Sequence, residues 1–255
     1  MKIYCKMEIG RGKTAIEDRV LIGSTVLAGG SYQAEAPDSD SPLCIAVADG
    51  VGGNSAGDVA AHIAVNSLLS FQLPEDIKAE ELLQIIRDTN MHIIEESRRV
   101  SFLYNMATTL SGLCRVDRKW LLFHVGNTRV YTWSSPYLSQ LTTDHSKARE
   151  LRLMGMSDEE IERTGNATAI TACLGNGDMV FAEALRVEDV TSEVAAAQMV
   201  LLTSDGVHEF IPREIFERSL QSANDIDLYL SQALSCARQN GSSDDLSIIL
   251  VDLRC

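Results

Sequence analysis

The residues best suited to chemistry in this chain are carboxylates at the ends of apolar runs. Leu43 to Ala48 is an unbroken apolar stretch that leads into Asp49, and Gly50, Gly52, Gly53 and Gly57 follow closely. Such a run reads as a strand covered on both faces, and the glycines read as a tight turn at its mouth. Met199 to Ser204 leads in the same way into Asp205 and Gly206, Gly241 to Asp245 (GSSDD) opens the apolar run that starts at Leu246, and Glu17-Asp18 interrupts a strand-like stretch near the start. One carboxylate in a turn either caps a helix or holds a cation, with the Gly50 carbonyl as a further oxygen. Several together shift that balance, because like charges in a partly buried site repel and raise one another's pKa unless a cation neutralises them. An all-oxygen donor set suits Mg²⁺ or Mn²⁺ rather than zinc. Two such ions about 3.5–4 Å apart lower the pKa of water, so the predicted chemistry is attack by a bridging hydroxide on a phosphoryl or acyl centre.

Other chemistries fail on spacing. Gly12-Lys13-Thr14 resembles the end of a phosphate-binding P-loop, but the glycine required five places earlier is Met7. The glycines from 50 to 57 miss the dinucleotide spacing at Ser55, and no acidic residue stands near position 70 to hold a ribose. The chain has no G-x-S-x-G elbow. An aspartyl-phosphate enzyme needs a second Asp two places from the first, whereas Val47 and Thr203 precede Asp49 and Asp205.

The elements that must position these carboxylates follow from periodicity. Residues 2 to 9 and 19 to 27 read as strands, and a polar loop from Gly29 to Ser41 leads to the central strand. Helical spacing runs from Ser55 to Phe71. Pro74 then suits the first turn of a longer helix, whose stripe is Ile77, Leu82, Ile85, Ile86, Thr89, Ile93 and Ile94. Met106 to Val116, Lys119 to Val125 and Arg129 to Trp133 read as hairpin-connected strands, with Leu138 to Thr142 a further short one. A polar segment from Thr143 to Gly177 carries a helix from Ser146 to Met154 and another from Ser157, whose SDEE is a capping box. Strands are predicted at Met179 to Val187, Gln198 to Thr203 and Leu246 to Leu253, with helices at about 212–221 and 226–239. Helices that fall in pairs rather than one per strand argue against a parallel doubly wound sheet. The expected class is α+β: two packed antiparallel sheets, each covered by a helix pair, in one domain over residues 1–255.

A formal charge of −14 argues against nucleic acid and anionic membranes as partners. No run reaches the roughly 20 apolar residues of a membrane span, and no leader is evident, so a cytoplasmic location is expected; a monomer is the expected state. Cys5, Cys44, Cys114, Cys173, Cys236 and Cys255 are scattered without a C-x-x-C pair and read as reduced thiols. His62, His92, His124, His145 and His208 read as ordinary surface or satisfied residues, with His145 the exception because it adjoins the polar segment.

Eight motifs in order resemble the metal-dependent type 2C Ser/Thr protein phosphatases, especially compact bacterial members. They are Glu17-Asp18, the D-G-x-G-G turn from Asp49, Ala107-Thr108-Thr109, His124 to Arg129 (HVGNTR), Leu141 to Ser146 (LTTDHS), Thr171 to Gly175 (TACLG), Ser204-Asp205-Gly206 and Gly241 to Leu246. The resemblance implies an αββα sandwich and a flap over the site at about residues 145–177. It also implies hydrolysis of phosphoserine and phosphothreonine in proteins without a phosphoenzyme, using two Mn²⁺ or Mg²⁺ ions per chain. By it, Asp49 bridges both ions, Glu17 and the Gly50 carbonyl complete the second site, Asp205 and Asp244 complete the first, and Asp18 holds an ion-bound water. Substrates would be phosphoproteins, among them a Ser/Thr kinase and its targets.

Three departures from the family pattern bear on activity. The phosphate-gripping Arg is Lys13, a point charge in place of a fork, with Arg11 a candidate substitute and His145 a further substrate contact. The acidic ligand of a third metal is Asn127, which makes that position weak, and Val51 stands where eukaryotic members carry a His, leaving the general acid unassigned. Asp245 replaces the usual Asn and is expected behind the ligands. The competing expectation is a pseudophosphatase that keeps the fold and acts as a regulatory binding module.

Overall fold

The computed structural model describes residues 1–37, 41–51, 56–70, 77–175 and 184–254. Along the chain, β1 is Lys2–Glu8, β2 Arg19–Ile22, β3 Thr25–Leu27, β4 Gly30–Glu35, β5 Leu43–Ala48 and β6 Gly50–Val51. Helices α1 (Gly57–Ser70) and α2 (Ala79–Arg99) precede β7 (Ala107–Thr108), β8 (Leu110–Val116), β9 (Lys119–Val125), β10 (Arg129–Ser134) and β11 (Tyr137–Gln140). Then come α3 (Lys147–Leu153), α4 (Asp158–Arg163), β12 (Arg186–Asp189), α5 (Thr191–Ala195), β13 (Met199–Thr203) and α6 (Asp205–His208). The chain closes with α7 (Arg213–Gln221), α8 (Ile226–Gln239) and β14 (Leu246–Asp252).

Two six-stranded sheets form, ordered β11-β10-β13-β14-β1-β4 and β12-β9-β8-β5-β2-β3, and every pairing in them is antiparallel. Strand alternation sorts β5 between two cores. Leu43, Ile45 and Val47 face the other sheet and meet Ile3, Cys5, Val200, Leu202 and Ile249. Cys44, Ala46 and Ala48 face the helices and pack with Ala60, Ala64, Leu82 and Ile86 of α1 and α2. On the far side Leu201, Ile248 and Leu250 pack on Phe216, Leu220, Leu230 and Leu234 of α7 and α8. Three apolar layers between four layers of structure are the expected αββα sandwich. Burying a side chain the size of Leu or Ile contributes about 1.5–3 kcal/mol, so these layers supply most of the drive to fold.

Several expectations shift. Residues 19–27 form a hairpin rather than one strand, because Gly23 at φ +58° lets the chain reverse after Ile22. The polar stretch after Gly29 contains β4, which pairs with β1 as a sheet edge, where polar side chains are tolerated on the open face. The strand expected from Met179 lies in its described part at Arg186–Asp189, paired with β9. The second helix of the first pair starts at Ala79, and Pro74 lies outside the described residues, as do Gly52, Gly53 and Ser55 of the glycine turn, Phe71, Met179 and Cys255. In the polar segment, Ser146 caps α3, and the predicted capping box at Ser157 and Glu160 is present at the start of α4. The other five cysteines are free thiols, all buried except Cys236.

Candidate active site

One edge of the sandwich collects all the acidic turns. The register pairs Glu8 with Leu246, Arg129 with Thr203, Arg19 with Ala48 and Leu110 with Val125, so β1, β13, β5 and β9 end there and β14, β10, β2 and β8 start there. A cleft of about 390 Å³ at this edge is lined by Arg11, Lys13, Glu17, Asp49, Gly50, Val51, Ile170, Asp205, Ser243 and Asp244. Carboxylates up to 227 residues apart in sequence (Glu17 and Asp244) therefore line one cleft.

Backbone hydrogen bonds and close approach fix these positions. Asp49 N donates to Thr109 Oγ1 at 3.0 Å, while Thr109 N and Thr108 Oγ1 both donate to the Asp49 carbonyl at 2.9 Å. A Cβ on Gly206 would lie 2.1 Å from the Asp245 carbonyl oxygen, so only glycine lets the Asp205 turn approach the Asp244-Asp245 turn. A Cβ on Gly50 would meet the Gly57 backbone at 2.5 Å, which holds the Asp49 turn against the start of α1. Arg238 ties the rear of the cleft together by donating to the carbonyls of Asp244 and Ile9, each at 2.6 Å.

The electrostatics are those of crowded anions. Burial raises the Asp49 carboxyl well above the usual range, and repulsion from Asp205, Asp18 and Asp244 adds to it. Burial and the Asp244 charge raise Asp205 as well, against hydrogen bonds from Asn127, Asp49 and the Gly206 N–H. Asp18 is 1% exposed and does not line the cleft. Its Oδ2 accepts from Ser247 Oγ at 2.5 Å, and burial, with the charges of Asp245 and Asp205, pushes it up to about 7. Asp245, also 1% exposed, accepts from Gly10 N at 2.6 Å and Glu17 N at 2.7 Å, and so sits behind the ligand candidates. Two cations reach the cleft. Arg11 is also held by the Arg238 carbonyl at 3.1 Å. Lys13 Nζ lies 2.6 Å from Asp244, 2.9 Å from Glu17 and 3.1 Å from Asp245. Burial acts to lower the Lys13 pKa, but these carboxylates outweigh it and hold it above its ordinary value.

The donors fit a hard divalent ion by chemistry, since every candidate ligand atom is oxygen. Asn127 adds to this: Nδ2 donates to Asp205 at 2.8 Å, and Oδ1 is buried without a hydrogen-bond partner among the described residues. Among those residues, however, no group of three or more His, Cys, Asp or Glu side chains is arranged to hold an ion as it stands.

His145 departs from its expected role as a substrate contact. It lines a neighbouring recess with Arg149, Thr171 and Arg186 rather than the carboxylate cleft. Its ring stacks on His124 at 4.7 Å, and its Nδ1 accepts from Gly126 N at 3.0 Å. Burial lowers both histidines to about 4, and for His145 the nearby His124, Arg149 and Arg186 act in the same direction. The pair braces the turn that carries Asn127 against the polar segment after Thr143, where Thr171 N donates to the His145 carbonyl at 2.9 Å. Sequence reading also passed over Arg238 and Ser247, whose partners lie on distant segments and leave no local signal.

The profile of the family described as protein phosphatase 2C matches residues 33–251. The serine/threonine phosphatase stp of Listeria monocytogenes is 30% identical over 223 residues, which covers 84% of this chain and 86% of that protein. Among solved structures, the serine/threonine phosphatase Stp1 from Staphylococcus aureus superposes with a TM-score of 0.80 at 22% identity, over 98% of this chain and 94% of that one. The catalytic domain of the phosphatase PstP, in complex with two manganese ions, does so with a TM-score of 0.71 at 21% identity over 99% of each chain. The chain belongs to the protein phosphatase 2C family.

Proposed function

We propose that this protein-serine/threonine phosphatase hydrolyses phosphoserine and phosphothreonine in proteins in one step, at the carboxylate cleft and with divalent metal ions. The observation that carries this is the convergence of Glu17, Asp49, Asp205 and Asp244 on one cleft that also contains two cationic side chains, Lys13 and Arg11. Asp49 and Asp205, hydrogen-bonded to each other and pushed toward protonation by burial and by neighbouring carboxylates, would be relieved by positive charge between them. Asp49 would be shared between two ions, with Glu17 and the Gly50 carbonyl on one side and Asp205 and Asp244 on the other. Asp18 would orient water from behind, and Asn127 Oδ1 would offer a weak neutral oxygen to a third position. Bound there, Mn²⁺ or Mg²⁺ would supply water made nucleophilic near neutral pH and positive charge against the phosphoryl oxygens. The manganese pair in the PstP complex supports two ions of this class.

The chain's own residues do the rest. Lys13 and Arg11, which line the cleft, would neutralise an incoming phosphate, and Val51 and Ile170 form apolar parts of the lining. A regulatory module that binds phosphoprotein without turnover is the second reading. It is favoured by Lys13, whose ammonium is engaged with carboxylates and lacks the bidentate fork of an arginine.

The test is hydrolysis of p-nitrophenyl phosphate and a phosphothreonine peptide with Mn²⁺, with and without chelator. Turnover that chelator abolishes, and that Asp205→Asn lowers about a hundredfold or more, is the expected result. Turnover that survives chelator contradicts the metal reading. Absence of turnover with any divalent ion, together with retained phosphopeptide binding, selects the regulatory module.

A further inference from the structure

Lys13 stands in an unusual position for a residue that is to grip substrate. Its Nζ is within 3.1 Å of three carboxylates, Asp244, Glu17 and Asp245. Two of these, Glu17 and Asp244, are the expected ligands of opposite ion sites, so a single ammonium bridges the ligand sets of both. The third, Asp245, is fully buried and held by two backbone N–H groups, so it is a fixed anchor on the far side of the ammonium. An ammonium is a compact charge with three donors on a flexible stem, and it can fill three carboxylates at once and then leave two of them. A guanidinium is planar and broader, and is better matched to one bidentate partner.

We propose that Lys13 is a built-in competitor for the metal site: its ammonium neutralises Glu17 and Asp244 until divalent ions displace it, after which Asp245 retains it beside the incoming phosphate. This rests on the reading of the cleft as a metal centre. The chain thereby sets its own threshold for metal, because an ion must exchange with an ammonium instead of entering a bare acidic cluster. The same contacts hold the segment from Gly10 to Glu17 against the start of β14 before metal arrives, since Lys13 and Asp245 together tie Gly10, Glu17 and Asp244 into one network.

The experiment is Mn²⁺ titration by calorimetry, and thermal melting in chelator, on the full-length protein and its Lys13→Met and Lys13→Arg variants. Lys13→Met keeps the stem and removes the charge. The expected result is Mn²⁺ binding about tenfold tighter or more, because a cation within a few ångströms of the ligands is gone. At the same time its melting temperature in chelator falls, and its KM for a phosphopeptide rises. Lys13→Arg, which keeps the charge, should bind Mn²⁺ within a few-fold of the parent. A merely structural role would weaken metal and substrate together, so the opposite movement of the two is diagnostic. Mn²⁺ bound equally well or more weakly by Lys13→Met overturns the competition while leaving the metal centre intact. No Mn²⁺ bound by any of the three proteins overturns the metal centre itself and the competition with it.

Discussion

The two ends of β5 are built from one uninterrupted apolar strand and face opposite tasks. At its start, Leu43 and Cys44 border a cavity of about 680 Å³ lined mainly by apolar and uncharged side chains such as Ile3, Ile22, Tyr32 and Leu68. At its finish, Asp49 and Gly50 border a smaller cleft of about 390 Å³ crowded with carboxylates. The larger hollow has little to do chemistry with: among its described lining residues Glu35 is the one charged side chain. The smaller one contains charges that the fold leaves in conflict: burial raises both Asp49 and Asp205, with the charges of Asp205, Asp18 and Asp244 adding to the first and that of Asp244 to the second. In this molecule unresolved electrostatic conflict marks the site, and volume does not.

That contrast can be broken by experiment at either end. The largest effect is expected at the finish of the strand. Asp49→Asn should lower kcat/KM about a thousandfold, since it removes the shared ligand and its charge. Its melting temperature without metal should stay level or rise, because one repelling carboxylate is gone. A variant that loses both activity and stability would show that Asp49 holds the fold rather than the chemistry. Leu43→Ala, at the start, should do the reverse. Leu43 is 2% exposed, and its truncation should cost about 2–3 kcal/mol in denaturant melts while kcat of the folded protein is unchanged.

A smaller effect sharpens the comparison from the side of the histidine stack. His124 and His145 are held near a pKa of 4, below the usual value of about 6.5 for an unfolded chain. The unfolded state therefore binds more protons between those values, and the stability that the neutral pair contributes is present above pH 6.5 and lost as pH falls toward 4. For the buried His124 the loss approaches roughly 3 kcal/mol at most. His124→Gln should flatten that part of the stability profile, which denaturant melts between pH 7 and 4 would measure. An unchanged slope would show that the fold does not hold His124 neutral in this range.

Much of this arrangement was legible in the sequence, and the reasons are specific. Asp49, Asp205 and Asp244 each sit where an apolar run meets glycine or serine, a local signal that needs no knowledge of the fold. The three-layer core followed from strand runs and paired helices. Elements and contacts without a local signal were missed. Strand β4 is an edge strand with polar outward residues, so its period is hidden. The helix that starts at Asp205 is only four residues long, too short to show a stripe. The pairing of Asp18 with Ser247, of Asp245 with Glu17 N and of Lys13 with Asp244 each spans more than 220 residues and exists only once the sheets have formed.

Four distant carboxylates that share ions between them are the centre of the proposed chemistry. The most direct test is a crystal structure of the protein grown with Mn²⁺, with anomalous scattering recorded at the manganese edge. The account predicts two peaks about 3.5–4 Å apart, with Asp49 between them, Glu17 and the Gly50 carbonyl beside one, and Asp205 and Asp244 beside the other. Manganese absent from the cleft at saturating concentration, or seated away from Asp49, would contradict it.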